Sequence, residues 1–376
     1  MILPEIATPA ALIDEARMAR NIARMQARVD ALGVRLRPHV KTSKCVEVAL
    51  RQKAAGARGI TVSTLKEAEQ FAAAGFEDIF YGVGISPHKL ERAAALHRRG
   101  CALTLLVDSV ETARATAEAS KREDAPFAVM IEVDTDGHRS GVQPESEELI
   151  AIGEALHRDG ASLKGVMTHA GSSYELNDAG ALRALAEQER RGCVRAAERL
   201  RAAGLPCADV SVGSTPTALS AENLEGVTEV RAGVYVFFDL VMANVGVCTT
   251  DDIALSVLTT VIGHQREKGW AIVDAGWMAM SRDRGTQRQK RDFGYGLVCD
   301  VAGVPVERFL MCAANQEHGI ISRDETGDDL DIRERFPIGT KLRILPNHAC
   351  ATAAQFPAYR VLTPDRVHIW ERFYGW

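Results

Sequence analysis

The sequence predicts an α/β protein in two parts, a (β/α)8 barrel followed by an all-β domain. Three observations carry this prediction. Short β-branched or apolar runs alternate with Ala/Arg/Glu-rich helical stretches through the first two thirds of the 376 residues. Eight such runs fall within about 230 residues, the number and length expected of an eight-stranded parallel barrel. Beyond about Val245 the pattern changes to strands parted by turn residues, with no long amphipathic helix between them.

Taken in order, the helical stretch Ile13–Ala31 leads in. Barrel strands are expected at Arg35–Val40, Gly59–Ser63, Asp78–Val83, Leu103–Asp108, Ala128–Asp134, Lys164–His169, Val210–Ser214 and Glu229–Val236. Helices such as Leu65–Ala74 and Ala181–Ala203 lie between them, and Gly33, Gly56, Gly75, Gly100 and Gly204 punctuate helix ends. A doubly wound sheet is the alternative topology, but no G-x-G-x-x-G follows the first strand. In the second part, strands are expected at Ile253–His264, Gly269–Ala275, Val306–Cys312, Lys341–Leu345 and Val367–Phe373. The boundaries so drawn are 8–245 for the barrel and 246–376 for the β-domain, with residues 1–7 assignable to the latter.

Composition excludes several function classes. Hydrophobic residues make up 46% and charged residues 25%, an ordinary globular balance. A net charge of −5 gives no footprint for nucleic acid or an anionic membrane surface. No apolar run approaches the roughly 20 residues of a membrane span. The N-terminal segment lacks a basic region followed by an apolar core, so no secretory signal is expected there. Eight scattered Cys read as reduced thiols of a cytoplasmic protein. Cys101, Cys248, Cys299 and Cys312 lie in strand-like runs, where a small buried hydrophobe is the expectation.

Catalysis in such a barrel sits at the C-terminal ends of its strands. The first strand ends His39-Val40-Lys41, the fifth Asp134-Thr135-Asp136-Gly137-His138-Arg139, and the sixth Thr168-His169 through Tyr174. The seventh ends Gly213-Ser214-Thr215, and the eighth carries Arg231-Ala232-Gly233-Val234. Residues two apart share a strand face, which aims His39 and Lys41 at one mouth. A partly desolvated lysine there has a lowered pKa and becomes a nucleophile; the competing reading is a solvated loop lysine. The Gly-containing turns after the last two strands suit an anion bound by backbone N–H groups and short hydroxyls.

In the second part, His348-x-Cys350 offers imidazole and thiolate, a donor pair that suits zinc with open positions left over. In an extended segment a spacing of two sets both side chains on one side. A chance pair, with a buried cysteine beside a hydrogen-bonded histidine, is the competing reading. Asn315-Gln316-Glu317-His318-Gly319 reads equally as support for a site or as a polar turn.

Arg37–Thr42, Thr168–Gly171, Gly213–Thr217, Arg231–Tyr235 and Pro346–Cys350 together resemble the fold-type III pyridoxal-phosphate enzymes. The likeness runs in order over nearly the whole chain and includes Ile131–Val142 and Ala275–Arg284. It is to the branch holding eukaryotic-type D-serine dehydratase, D-threonine aldolase and D-threo-3-hydroxyaspartate dehydratase. The resemblance implies an alanine-racemase-like barrel with a β-domain and pyridoxal 5'-phosphate as cofactor. It implies that Lys41 carries the cofactor, and that Arg139, His169, Tyr174, Ser214, Thr215, Gly233 and Val234 line its ring or phosphate. His348 and Cys350 match the metal pair. His-x-Cys rather than His-x-Asp points to a zinc dehydratase, with Mn2+, Mg2+ or Co2+ as alternative metals. A homodimer is implied as well.

The implied reaction acts on a D-β-hydroxy amino acid, D-threo-3-hydroxyaspartate or D-serine, and yields a 2-oxo acid and ammonia. Freed Lys41 is the expected base for the α-proton, and the metal the expected Lewis acid for the departing hydroxyl. Retro-aldol cleavage to glycine and an aldehyde is the alternative. A racemase would need a second base, usually a β-domain Tyr, for which the sequence offers no candidate. A cofactor-carrier protein on the same barrel would lack the β-domain. A second substrate carboxylate would need donors such as those of the Arg282–Arg291 segment, which reads equally as a solvated loop.

Overall fold

A computed structural model describes residues 5–158, 160–324 and 331–376. The chain divides into two units, one of residues 22–233 with 373–376, the other of residues 1–21 with 234–372.

The first unit is built on eight parallel strands: β2 (Arg35–Leu36), β3 (Ile60–Val62), β4 (Asp78–Gly84), β5 (Ala102–Val107), β6 (Ala128–Glu132), β7 (Ser162–Met167), β8 (Asp209–Val212) and β9 (Glu229–Val230). They run side by side in the order β2-β9-β8-β7-β6-β5-β4-β3. A parallel bridge from His39 to Thr61 joins the two ends of that series, just beyond β2. The eight expected strands are therefore the eight observed, though β2 and β9 are two residues long. Helices begin where short polar side chains accept an orphan N–H: Thr64 from Glu67, Ser109 from Thr112, Asp178 from Ala181. Phe80, Leu106, Met130 and Met167 pack together as a buried cluster drawn from four adjacent strands. Buried Arg37 bonds Glu229 at 2.9 Å and Asp78 at 2.8 and 2.9 Å. At Gly165 a Cβ would sit 1.9 Å from the Asp209 carbonyl, so β7 and β8 approach only because that side chain is absent.

The second unit is a nine-stranded sheet. Its members are β1 (Ala10–Asp14), β10 (Leu255–Gln265), β11 (Trp270–Val273), β12 (Leu297–Cys299), β13 (Pro305–Ala314), β14 (Gly319–Arg323), β15 (Lys341–Leu345), β16 (Ala358–Leu362) and β17 (Val367–Glu371). The order is β11-β14-β13-β12-β15-β10-β1-β16-β17, and β11 also pairs with β10, which closes six strands into a small barrel. The boundaries drawn at 8–245 and 246–376 differ from this division. Residues 8–21 lie in the β unit because Ala10–Ile13 pairs antiparallel with Leu255–Leu258 and Leu12–Asp14 pairs parallel with Arg360–Leu362. The helix Leu240–Val245 lies there too, capped by Asp239, whose other oxygen accepts the Ala349 N–H. Phe373 goes with the barrel, its ring 5.1 Å from that of Phe71.

All eight cysteines are thiols. Cys101 and Cys299 are buried as expected, and burial raises their thiols to about 11 and about 12. Cys312 is exposed on β13 and Cys248 half-exposed beyond a helix, so neither is the buried strand residue the sequence suggested.

Candidate functional site

In the barrel unit, strand β2 delivers His39 into the bridge with Thr61 and the chain then turns at Lys41. The Lys41 N–H reaches His39 Nδ1 at 3.4 Å. Beyond β7, His169 donates from Nδ1 to the Gly213 carbonyl at 2.6 Å, which leaves Nε2 as an acceptor. Burial first, then the Lys41 and Arg231 charges, push His169 down to about 3. The same three influences hold His39 well below the ordinary histidine range. Both rings are therefore neutral at physiological pH.

Buried Arg231 is the fixed charge of this cluster. Its Nε donates to Ser211 Oγ at 2.8 Å, its guanidinium bonds the Thr168 carbonyl, and it lies 5.9 Å from the Phe80 ring centre. Burial draws it down from its ordinary range, against the pull of Glu229 and Glu189. Tyr174, in the turn Gly171–Glu175, sets its ring 6.1 Å from that of His169. Arg139 is over half exposed and pairs with Glu132 at 3.3 Å; its charge also bears on His169.

The turns after β8 and β9 are shaped by glycine. Gly213 has φ +140°, and a Cβ there would lie 2.8 Å from the Arg231 nitrogen. A Cβ on Gly233 would lie 3.0 Å from the His39 carbonyl. Ser214 caps the helix Thr215–Ser220 in a reciprocal box with Thr217, and its hydroxyl meets that of Ser173 at 2.9 Å. Val234 opens the short turn Val234–Val236, and its carbonyl accepts the Phe238 N–H at 2.8 Å. One buried carboxylate ties two of these loops: Glu189 Oε1 accepts the Ala170 N–H at 3.0 Å and the Gly213 N–H at 3.2 Å. Burial raises its pKa.

The structure thus brings Lys41, His169, Tyr174, Ser214 and Gly233 into one neighbourhood of connected loops; Thr215 is buried and Arg139 exposed. Sequence reasoning missed Glu189, and it set Arg231 at the barrel mouth without counting it among the site residues. Glu189 carries no local signal, being one of three glutamates on a 24-residue helix.

The β unit holds the second cluster. His348 is the extended N-cap of the helix Ala349–Ala353 and Cys350 lies in its first turn. The expected extended His-x-Cys segment is therefore a helix start, because Asp239 Oδ2 captures the Ala349 N–H at 2.8 Å. His348 Nδ1 bonds Asp283 Oδ2 at 2.6 Å, and the Cys350 thiol bonds the same imidazole. Burial alone would lower His348, but Cys350 and Asp283 hold it well above the ordinary histidine range. Asn347 is locked between the Gly294 carbonyl and Thr286. Among the described residues no group of three or more His, Cys, Asp or Glu is arranged to hold a metal ion. A metal bound here would rest on the His348–Cys350 pair and keep its other positions for water or substrate.

Asn315–Gly319 is a turn between β13 and β14. The Asn315 and Gln316 carbonyls accept the Trp277 and Met278 N–H groups, and the four polar side chains are exposed, which favours the polar-turn reading. In the arginine-rich segment, Arg284 pairs with Asp292 and Arg291 with Asp324, while Arg282 stacks on Trp277.

Comparison with known proteins gives a consistent picture. The alanine racemase N-terminal domain family matches residues 13–241, and a serine dehydratase domain family matches 254–362. D-threo-3-hydroxyaspartate dehydratase of Delftia sp. strain HT23 is 67% identical, with 98% of each chain covered. Its solved structure superposes with a TM-score of 0.98, covering all of this chain and 99% of that one. Another structure of that enzyme, a cysteine-to-alanine mutant, is described as metal-free. D-serine dehydratase of Dictyostelium discoideum is 30% identical over 95% of this chain and 94% of its own. D-threonine aldolase of an Arthrobacter species is also 30% identical, over 93% of this chain and 87% of its own.

Proposed function

The chain belongs to the fold-type III pyridoxal-phosphate family that holds the D-serine dehydratases and D-threonine aldolases, and on that premise we propose that it is a D-β-hydroxy amino acid dehydratase. The proposed reaction releases a 2-oxo acid and ammonia, with D-threo-3-hydroxyaspartate as first substrate and D-serine as second. The 67% identity to the Delftia enzyme over 98% of both chains carries this reading.

The barrel cluster fits pyridoxal 5'-phosphate. The support is the pair of glycine turns, where a Cβ would crowd the neighbouring backbone, set beside a lysine and two neutral imidazoles. In this reading Lys41 carries the cofactor. Arg139, His169 and Tyr174 face its ring, and Ser214, Thr215, Gly233 and Val234 take its phosphate. When bound, the cofactor supplies an electron sink for negative charge at Cα. The Lys41 amine takes the α-proton. His169 stays uncharged and so offers Nε2 as an acceptor, with Nδ1 fixed on Gly213. Burial above all, then the charges of Lys41 and Arg231, keeps both imidazoles unprotonated.

His348 and Cys350 fit a divalent metal, with zinc favoured by the thiolate over Mn2+, Mg2+ or Co2+. The support is the donor set itself, with the imidazole already oriented by a carboxylate. A metal there would act as a Lewis acid on the β-hydroxyl, otherwise a poor leaving group. Retro-aldol cleavage is the second reading, favoured by the D-threonine aldolase relative. A homodimer acting in the cytoplasm on a small molecule, without nucleic acid or membrane, completes the proposal. No helix among the described residues is long and apolar enough to cross a membrane.

The test is a product assay on D-threo-3-hydroxyaspartate, D-serine and D-threonine, with and without chelator. Ammonia and a 2-oxo acid are expected. Glycine and an aldehyde as the main products would overturn the dehydratase reading. Undiminished turnover by metal-stripped protein would remove His348 and Cys350 from the reaction.

A further inference from the structure

We propose that Asp283 is a positioning residue for the His348–Cys350 pair, fixing the imidazole so that Nε2 is the nitrogen offered to a divalent cation. This rests on the metal reading given above. A neutral imidazole has one N–H and one lone pair. The Asp283 carboxylate lies 2.6 Å from His348 Nδ1 and accepts the N–H there, so a cation that displaces the ring's other proton finds the lone pair on Nε2. Without that acceptor the ring is free to flip or to change tautomer, and either change withdraws the ligand nitrogen. A carboxylate behind a ligating histidine also makes the ring more basic toward the metal.

The carboxylate is itself held in place. The Asp283 N–H donates to Ser281 Oγ at 2.9 Å, and the Ser281 N–H to the Trp277 carbonyl at 2.8 Å. Ser281 has φ 73°, a left-handed conformation that a serine adopts only when its surroundings impose it. The chain is thus bent at a specific point, two residues before the carboxylate that meets His348. Asp239 does the complementary task on the backbone. Its two oxygens accept the Met242 N–H at 2.9 Å and the Ala349 N–H at 2.8 Å, and Ala349 is the residue between the two donors. Asp239 is 1% exposed, so this tie is shielded from water. One carboxylate therefore fixes the imidazole and the other the main chain from which both donor side chains project. A mere surface ion pair between Asp283 and His348 would need neither the bend at Ser281 nor the tie at Ala349.

The test measures zinc binding directly on the purified full-length holoenzyme. Wild type, Asp283→Ala and Asp283→Asn are dialysed against graded chelator and their zinc content read by atomic emission. Cobalt-substituted samples report the ligand field by visible absorption. Asp283→Ala is expected to weaken zinc binding roughly 10- to 100-fold and to shift the cobalt spectrum. Asp283→Asn keeps an oxygen acceptor in nearly the same volume and is expected to recover part of the affinity, which also covers the case of an alanine variant that fails to fold. Unchanged zinc affinity and cobalt spectrum in folded Asp283→Ala, or in Asp283→Asn if the alanine variant does not fold, overturn this inference alone. A wild-type protein that takes up no zinc overturns the metal reading and this inference with it.

Discussion

The two units hold their functional groups by different means. In the barrel unit the backbone does most of the holding, with the Glu189 carboxylate tying two of the loops from behind. Lys41 follows a strand end, His169 is fixed by the Gly213 carbonyl, and the glycine turns leave room for close approach because they lack side chains. In the β unit carboxylate side chains do it: Asp239 and Asp283 grip the segment that carries His348 and Cys350. A backbone-held site tolerates loss of its reactive side chain without loss of shape. A side-chain-held site is only as well placed as its supporting residues.

The first way to break this comparison is Lys41→Ala. If the backbone frames the barrel site, the variant loses turnover by about 10⁴-fold, the upper range for removal of a general base, and loses the visible absorption of bound cofactor. Its far-UV circular dichroism stays that of the parent. An unaltered cofactor spectrum would remove Lys41 from the chemistry.

Next in size is Arg37→Met, aimed at the barrel's buried ion pairs rather than its mouth. Both Arg37 and Glu229 are nearly inaccessible, at 4% and 3% side-chain exposure. The variant takes from buried Glu229 its nearer cation and leaves Arg35 at 3.7 Å, and a loss of up to about 3–5 kcal/mol is expected, read from the urea midpoint. A loss below 1 kcal/mol would mean that Arg35 and Ser211, which donates to Glu229 at 2.8 Å, satisfy the carboxylate without Arg37.

Gly213→Ala tests the glycine turn itself. The residue sits at φ +140° with Arg231 backbone 2.8 Å from the new Cβ. Strain of about 1–3 kcal/mol is expected to appear as cofactor affinity lowered about tenfold or more. Titration of cofactor-free protein by absorbance checks this, and unchanged affinity would place the phosphate elsewhere.

The last effect is a pH dependence of the cofactor-free protein. His169 is depressed to about 3 and His39 also lies low. As pH falls below about 6.5 the unfolded chain takes up protons that these folded rings refuse. Stability is then fully present above that pH and declines on acidification toward pH 3, by at most about 1.4 kcal/mol per pH unit per ring. Urea midpoints between pH 7 and 4 measure it, and His169→Gln should flatten the slope. An unchanged slope in that variant would show His169 titrating freely.

The sequence made one half of the comparison easier to read than the other. Alternation of apolar runs and helices marks each barrel strand locally, and strand ends then name the mouth residues. The same logic failed for Ala10–Asp14, five residues running into a helix, because the partners that make them a strand lie at Leu255–Leu258 and Arg360–Leu362. Glu189, Asp239 and Asp283 were equally hidden. Each is one acidic residue among 50 Asp and Glu, and its meaning comes only from a distant N–H or imidazole. His348-x-Cys350 was visible as a pair, but its helical start was not, since Asp239 imposes it from over a hundred positions away.

The placement of β1 between β10 and β16 has a consequence for how the protein is made. On the ribosome Asp14 emerges long before Leu255 exists. At roughly 5–20 residues per second, the first strand waits on the order of ten to fifty seconds for its earliest neighbour. During that interval its apolar side chains have no permanent home, while the barrel segments that follow can already assemble among themselves. A nascent chain stalled near residue 245 should therefore present a protease-sensitive N-terminus joined to a resistant body, and a synonymous slow-codon stretch before Leu255 should lengthen the exposure.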